Sequence, residues 1–138
     1  MRIRDEHGTL RRLSSQEIGQ LGERTAARAF ERAHGSVLWR NYRARAGGEV
    51  DLVGRHQDVL IFAEVKTRTS YRFGAPSEAV DEEKQRLIQR GALDWLRRLD
   101  FPQVLFRFDI FEVRLRDGHR PDIHWIENAF QLPDDVWV

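Results

Sequence analysis

The chain has 138 residues, 41% of them hydrophobic and 33% charged, with a formal net charge of +1; that suits one domain with a sizeable core and selects no polyanionic partner by itself. Cysteine is absent, which excludes disulfides and thiolate metal sites and leaves oxygen or imidazole as the only metal ligands. There is neither an apolar run approaching the roughly 20 residues that span a bilayer nor an apolar signal segment, so a cytoplasmic protein without membrane contact is expected.

Residues 1–13 are polar, basic and aperiodic and read as a flexible N-terminal tail. Ser14 followed by Glu17 has the spacing of a capping box, and Ile18, Leu21, Ala26, Ala29 and Phe30 then recur at helical spacing up to a stop at Gly35. Gly19 and Gly22 weaken this first helix locally, which predicts close packing on a sheet or close approach of a ligand. Glu23 lies on the flank of the apolar stripe, either as a third acidic ligand or as a solvated glutamate beside Arg24. Val37 to Tyr42 reads as a strand, with Trp39 available for packing, and Arg43 to Gly48 as the turn that follows. Asn41, Arg43 and Arg45 are candidates for phosphate contact; Arg43 equally suits a counter-ion to Asp51.

The stretch from Gly48 to Arg68 carries the chemistry. Val59 to Ala63 is an unbroken apolar run with the character of a buried strand, yet it continues into Glu64 and Lys66. Buried strands rarely end in opposite charges unless these are paired or employed, because desolvating an ion is costly. Alternation puts Leu60, Phe62, Glu64 and Lys66 on one face, and Glu49, Asp51 and Val53 on one face of the preceding strand. A two-residue loop at Gln57-Asp58 sets Asp51 directly opposite Glu64; a loop at His56-Gln57 sets Glu49 there instead, and an unbulged three-residue loop breaks the convergence. Two neighbouring carboxylates suit Mg²⁺ or Mn²⁺, which take oxygen ligands and can lower the pKa of a bound water or polarise a phosphoryl group. Lys66 would then orient the attacking water or stabilise developing charge, against the plainer alternative of a Glu–Lys pair at a strand end. Of 23 basic residues only Lys66 and Lys84 are lysine, so a compact ammonium stands at Lys66 in a chain that otherwise uses arginine.

Residues 67–76 form a polar loop of arginines and aromatics, a composition suited to nucleic-acid contact. A second helix is predicted over 81–99, with acids in its first turn, Arg97 and Arg98 in its last, and Lys84 either reaching the site or exposed. Strands follow at 104–115 and 122–126, and residues 131–138 form a C-terminal tail. The five histidines have no metal-ligand spacing.

The order α-β-β-β-α-β-β over residues 14–130, with Asp51 on the second strand of the first three and Glu64-x-Lys66 on the third, resembles the restriction-endonuclease-like fold of the PD-(D/E)XK nucleases. Within it, Gly22-Glu23, Asn41-Tyr-Arg43, Gly48-Glu-Val-Asp51-Leu, Ala63-Glu-Val-Lys-Thr-Arg68, Gly74-Ala-Pro, Glu78-Ala-Val80, Lys84, Arg107-Phe-Asp109 and Asn128-Ala-Phe130 look like the bacterial YraN-like family. A more distant similarity is to archaeal Holliday-junction resolvases. These resemblances imply a single α/β domain, a central mixed sheet flanked by helices. They imply that Asp51, Glu64 and Glu23 hold Mg²⁺ or Mn²⁺, that Lys66 serves the attacking water, and that Arg24, Asn41, Arg43, Arg68 and Lys84 contact nucleic acid. The activity so implied is metal-dependent hydrolysis of DNA phosphodiesters, on branched or damaged structures, with a homodimer suiting a junction. Its rivals are a binding or assembly protein that keeps the fold without turnover, and a scaffold that uses the charges as a salt-bridge cluster.

Overall fold

The computed structural model describes residues 1–4, 6–69 and 80–133. Residues 70–76 of the loop read at 67–76, with Gly74-Ala-Pro, then Glu78 and the end of the C-terminal tail at 134–138, lie outside the described residues, and Thr67 and Arg68 of that reading belong to a strand. The elements are β1 (Arg2–Arg4), β2 (Leu10–Arg12), α1 (Ser15–Arg32), β3 (Ser36–Ala44), β4 (Gly48–His56), β5 (Val59–Arg68), α2 (Glu82–Arg98), β6 (Leu105–Arg114) and β7 (Asp122–Phe130). From α1 onward this is the order α-β-β-β-α-β-β. Where the polar first residues suggest a tail, the structure has an exposed two-stranded ribbon, β1 against β2, in antiparallel register from Arg2↔Arg12 to Arg4↔Leu10. It is tied down by the Arg2 N–H donating to Asp117 Oδ1 at 3.0 Å and the Leu13 N–H donating to the Met1 carbonyl at 2.9 Å.

Among the described residues the main sheet is five-stranded, in the order β3-β4-β5-β6-β7. All neighbours are antiparallel except β5 and β6, which run parallel from Val59↔Leu105 to Arg68↔Arg114. A parallel pair needs a crossover connection, and α2 supplies it. The two helices cover opposite faces. Ala26, Ala27 and Phe30 of α1 pack with Leu52, Ile61 and Phe111, while Ile88, Ala92 and Leu96 of α2 pack with Val53, Phe62 and Phe108. Odd positions of β5 thus meet α1 and even positions meet α2, as the pleat requires.

Local chemistry sets the helix ends. At the start of α1 the capping box is complete: Ser14 Oγ accepts the Glu17 N–H and Glu17 Oε1 accepts the Ser14 N–H, both at 3.1 Å. It ends in a Schellman motif, with His34 left-handed at φ 68° and the Gly35 N–H donating to the Phe30 carbonyl at 2.9 Å. Asp81 caps α2 by accepting the Lys84 N–H at 2.8 Å.

Two close approaches bring the helices onto the sheet. A Cβ on Gly22 would lie 1.8 Å from Thr67 Oγ1, so α1 rides directly on β5. A Cβ on Gly48 would lie 2.3 Å from the Gly91 nitrogen, so α2 and β4 touch backbone to backbone. These contacts bring the first turns of both helices toward the ends of β4 and β5 that carry the acidic residues.

Candidate functional site

The hairpin between β4 and β5 turns through Gln57 and Asp58, both left-handed at φ 52° and 64°, which is a two-residue type I′ turn. The register is then His56↔Val59 through Leu52↔Ala63, and one step further stand Asp51 and Glu64. Of the registers open to the sequence, the structure has the one that brings these two carboxylates together. At Asp51 the strand also departs from simple alternation. Val50 packs on the α2 side and Leu52 on the α1 side, so the shared face of Glu49, Asp51 and Val53 expected from the pleat does not run unbroken. Asp51 Oδ2 accepts the Val65 N–H at 2.9 Å, and this side-chain bond continues the inter-strand contact beyond Leu52↔Ala63.

Glu64 is 6% exposed, and its Oε2 is buried without a hydrogen-bond partner. Burial pushes its carboxyl up to about 9, with the Asp51 charge and a hydrogen bond to Asp51 adding to the rise. Lys84 opposes it: its Nζ lies 3.5 Å from Glu64 Oε1, but is closer to Glu49 Oε1, at 2.8 Å. The shorter contact dominates, so the ammonium belongs chiefly to Glu49 and leaves Glu64 favouring its protonated form. The hydrogen bond from Lys84 holds Glu49 below the usual carboxylate range. Despite burial, which acts the other way, the Glu49 and Glu64 carboxylates raise Lys84 above its ordinary value. Lys84 therefore reaches the site, and within the described residues its partners are acids.

Glu23 comes to the same place from α1. Its carboxyl is raised, chiefly by burial and then by the Asp51 charge, while a hydrogen bond from Asn41 and the Arg40 and Arg43 charges oppose the rise. Asn41 Nδ2 donates to Glu23 Oε2 at 3.2 Å. Asn41 is left-handed at φ 54°, a conformation its side chain tolerates, and the flanking pairs Arg40↔Leu52 and Tyr42↔Val50 set it opposite Asp51. A cleft of about 350 Å³ is lined by Gly19 and Glu23 of α1 together with Glu64, Lys66 and Thr67 of β5. Gly22 provides the close packing on the sheet expected of this glycine pair, whereas a Cβ on Gly19 would meet nothing within 4 Å.

Lys66 is half-buried beside this cleft, and its ammonium makes no hydrogen bond or ion pair among the described residues. The strand-end Glu64–Lys66 pair is therefore not the arrangement found. Arg24 and Arg43 are exposed on α1 and β3. Arg68 turns elsewhere: its Nε is 3.9 Å from Glu112 Oε1, on β6.

Among the described residues no three acidic or imidazole groups form a ready-made metal cage. Mg²⁺ does not require one, since it keeps several waters and commonly takes only one or two carboxylates. An orphaned buried Oε2, and a carboxyl raised by a second carboxyl next to it, are what a divalent cation would relieve. The donor set Asp51 and Glu64, with Glu23 at its edge, fits such an ion.

Residues 22–113, including every one of these groups, match the family model described as Uncharacterised protein family UPF0102. The chain belongs to UPF0102. This is the YraN-like family that its motifs resemble. It is 44% identical over 119 residues to a UPF0102 protein of Trichlorobacter lovleyi, covering 86% of this chain and 93% of that one. A UPF0102 protein of Geobacter metallireducens is 41% identical over 120 residues, covering 87% and 97%, and one of Nocardia farcinica is 42% identical over 115 residues, covering 83% and 90%.

Not all the segments that resemble UPF0102 line the cleft. Asp109 is fully buried and accepts hydrogen bonds from Arg107 Nε, Trp125 Nε1 and the Asn128 N–H at 2.8 to 3.1 Å. Asn128 is left-handed at φ 53° and marks the register shift between β6 and β7. Asp109 thus fastens a bulge, and β7 runs on to Phe130 rather than stopping at residue 126. Sequence reasoning placed Asp109 in a family motif without a role, missed Asp94 and Glu112, both also buried, and missed Glu49 as the partner of Lys84. The available signal was an acid inside an apolar strand, as in Phe108-Asp-Ile and Phe111-Glu-Val. Among the described residues no helix is long and apolar enough to cross a membrane.

Proposed function

We propose that this protein is a divalent-metal-dependent nuclease that hydrolyses phosphodiester bonds of DNA, in branched or damaged structures. The observation that carries the reading is the meeting of Asp51 and Glu64 across β4 and β5, with one Glu64 oxygen buried and unpartnered and its carboxyl pushed up by burial and then by the Asp51 charge. Such a pair is costly for a scaffold and useful for holding a cation. Mg²⁺ or Mn²⁺ there would lower the pKa of a bound water and polarise a phosphoryl oxygen. Asp51, fixed by the Val65 N–H, and Glu64 would hold the ion, with Glu23 at the edge of the cleft as a further acidic ligand. Lys66, whose ammonium is committed to no carboxylate among the described residues, donates to the attacking water and to charge growing on the phosphate. Arg24 and Arg43 contact the backbone phosphates. A cytoplasmic location goes with this reading.

A second reading is a nucleic-acid-binding or assembly protein that keeps the fold and the carboxylates and does not turn over. One panel separates the two: labelled duplex, single-stranded, flapped and four-way DNA, and RNA, with Mg²⁺, Mn²⁺ or chelator. Wild type should cut in a metal-dependent way, with Glu64→Ala and Lys66→Ala inactive but folded. Structure-selective binding without cutting supports the second reading. Cutting that survives both substitutions overturns the mechanism.

A further inference from the structure

Beside the carboxylates, on the α2 side of β3, lies a second groove, whose aromatic rings the chemistry above does not use. It has a volume of about 460 Å³ and is lined by Trp39, Asn41, Tyr42, Arg43, Trp95 and Arg98. That is within the roughly 300–1,000 Å³ range of small-molecule sites. The rings meet edge to face: Tyr42 and Trp95 at 5.2 Å and 82°, Trp39 and Trp95 at 6.4 Å and 66°. Such packing fixes each ring while leaving the outermost with a free face, and Trp39 remains 54% exposed. The platform is braced from behind. The Tyr42 hydroxyl donates to buried Asp94, which also accepts from Arg97 Nη2 at 2.8 Å and from Arg98 Nε at 3.1 Å. Arg98 is thereby anchored at the rim, opposite exposed Arg43.

We propose that this groove stacks one unpaired nucleobase of the DNA strand whose phosphate lies at Asp51 and Glu64. An aromatic face flanked by guanidinium groups suits a flat, electron-rich ring attached to a phosphate, and only an unpaired base can present its face. Continuity with the site supports the same occupant. Asn41 lines the groove, donates to Glu23 in the cleft and stands opposite Asp51 on the neighbouring strand, about 4.8 Å away. A strand seated with its phosphate at the carboxylates thus has the groove beside it. The inference rests on the nuclease reading for the nature of its strand, and its test is kept separate from cleavage.

The test uses the full chain with Ca²⁺ in place of Mg²⁺ or Mn²⁺, with a flapped DNA carrying 2-aminopurine as its first unpaired base, the same flap with an abasic site there, and the fully paired duplex. Wild type should quench 2-aminopurine and bind the base-bearing flap about tenfold or more tightly than the abasic one. Trp39→Ala should lose that preference and the quench while its affinity for duplex changes less than about twofold; Trp39→Phe should keep most of both. Equal binding of the two flaps, an equal loss for flap and duplex in Trp39→Ala, or no binding at all overturns the proposal. An RNA flap that is quenched while the DNA flap is not overturns the assignment to DNA. Cleavage of the same substrates with Mg²⁺ or Mn²⁺ is scored apart. A Trp39-dependent quench without cleavage keeps the stacking site and removes the nuclease, whereas cleavage indifferent to Trp39 does the reverse.

Discussion

Glu64→Gln preserves shape and removes ionisation, which makes it the sharpest probe of the carboxylate pair. In the native protein burial and Asp51 push Glu64 up to about 9, from 4.5 in the unfolded chain. The native state therefore holds an extra proton between these values. A raised carboxyl contributes stability that is fully present below pH 4.5 and is lost as pH climbs to about 9. Each pH unit is worth about 1.4 kcal/mol, so at pH 7 the metal-free wild type has lost roughly 3 kcal/mol of the contribution it has in acid. Glu64→Gln has no such loss. Urea unfolding in chelator at several pH values between 5 and 8 should show the variant gaining on wild type by up to about 1.4 kcal/mol per pH unit. Saturating Mg²⁺, which favours the ionised carboxylate, should stabilise wild type and leave the variant unmoved. Parallel pH curves for the two proteins would refute the reasoning, because Glu64 would then be ionised in the metal-free fold.

Lys66→Arg should lose on the order of a hundredfold or more in cleavage rate, with little change in melting temperature, because a planar guanidinium cannot replace a compact ammonium at the water. Full activity in this variant would exclude that role. Gly22→Ala must drive a methyl into Thr67 and should cost about 1–3 kcal/mol by thermal or urea unfolding. Gly19→Ala, with open space around it, should instead gain roughly 0.5–1 kcal/mol from helix propensity. Asp109→Ala leaves the Arg107 Nε, the Trp125 indole and the Asn128 N–H without their acceptor, with Glu127 at 3.5 Å as the remaining partner of Arg107, and should cost about 3–5 kcal/mol, read by chemical unfolding and by loss of amide protection in β7.

Both helices and the central strand were legible because their signals are local. Ser14 with Glu17, Asp81 at the head of α2 and the apolar run at 59–63 each act within a turn or two of chain. The ends of β7 were not legible: its extension past residue 126 depends on a bulge held by Asp109, nineteen residues away. The ribbon at 2–12 was missed for a similar reason, since short polar strands show no periodicity and are fastened by Asp117. Asp51, Glu64, Lys66 and Glu23 could be named as a site from residue type and alternation. Which carboxylates meet depended on a turn at Gln57-Asp58 that carries no glycine to announce its two left-handed residues.

By itself the sequence determined the inventory: an acid on each of two adjacent strands, a lysine two residues beyond, and the helices and motifs that identify the family. Tertiary structure decided the pairings. Lys84 joins Glu49 and Glu64 because Gly48 and Gly91 let α2 lie on β4. Trp39, Tyr42 and Trp95 form one platform because β3 and α2 share a face. Backbone preference acts between neighbours in the chain, whereas these contacts between elements join residues 20 to 56 positions apart and exist only once the sheet and helices have packed.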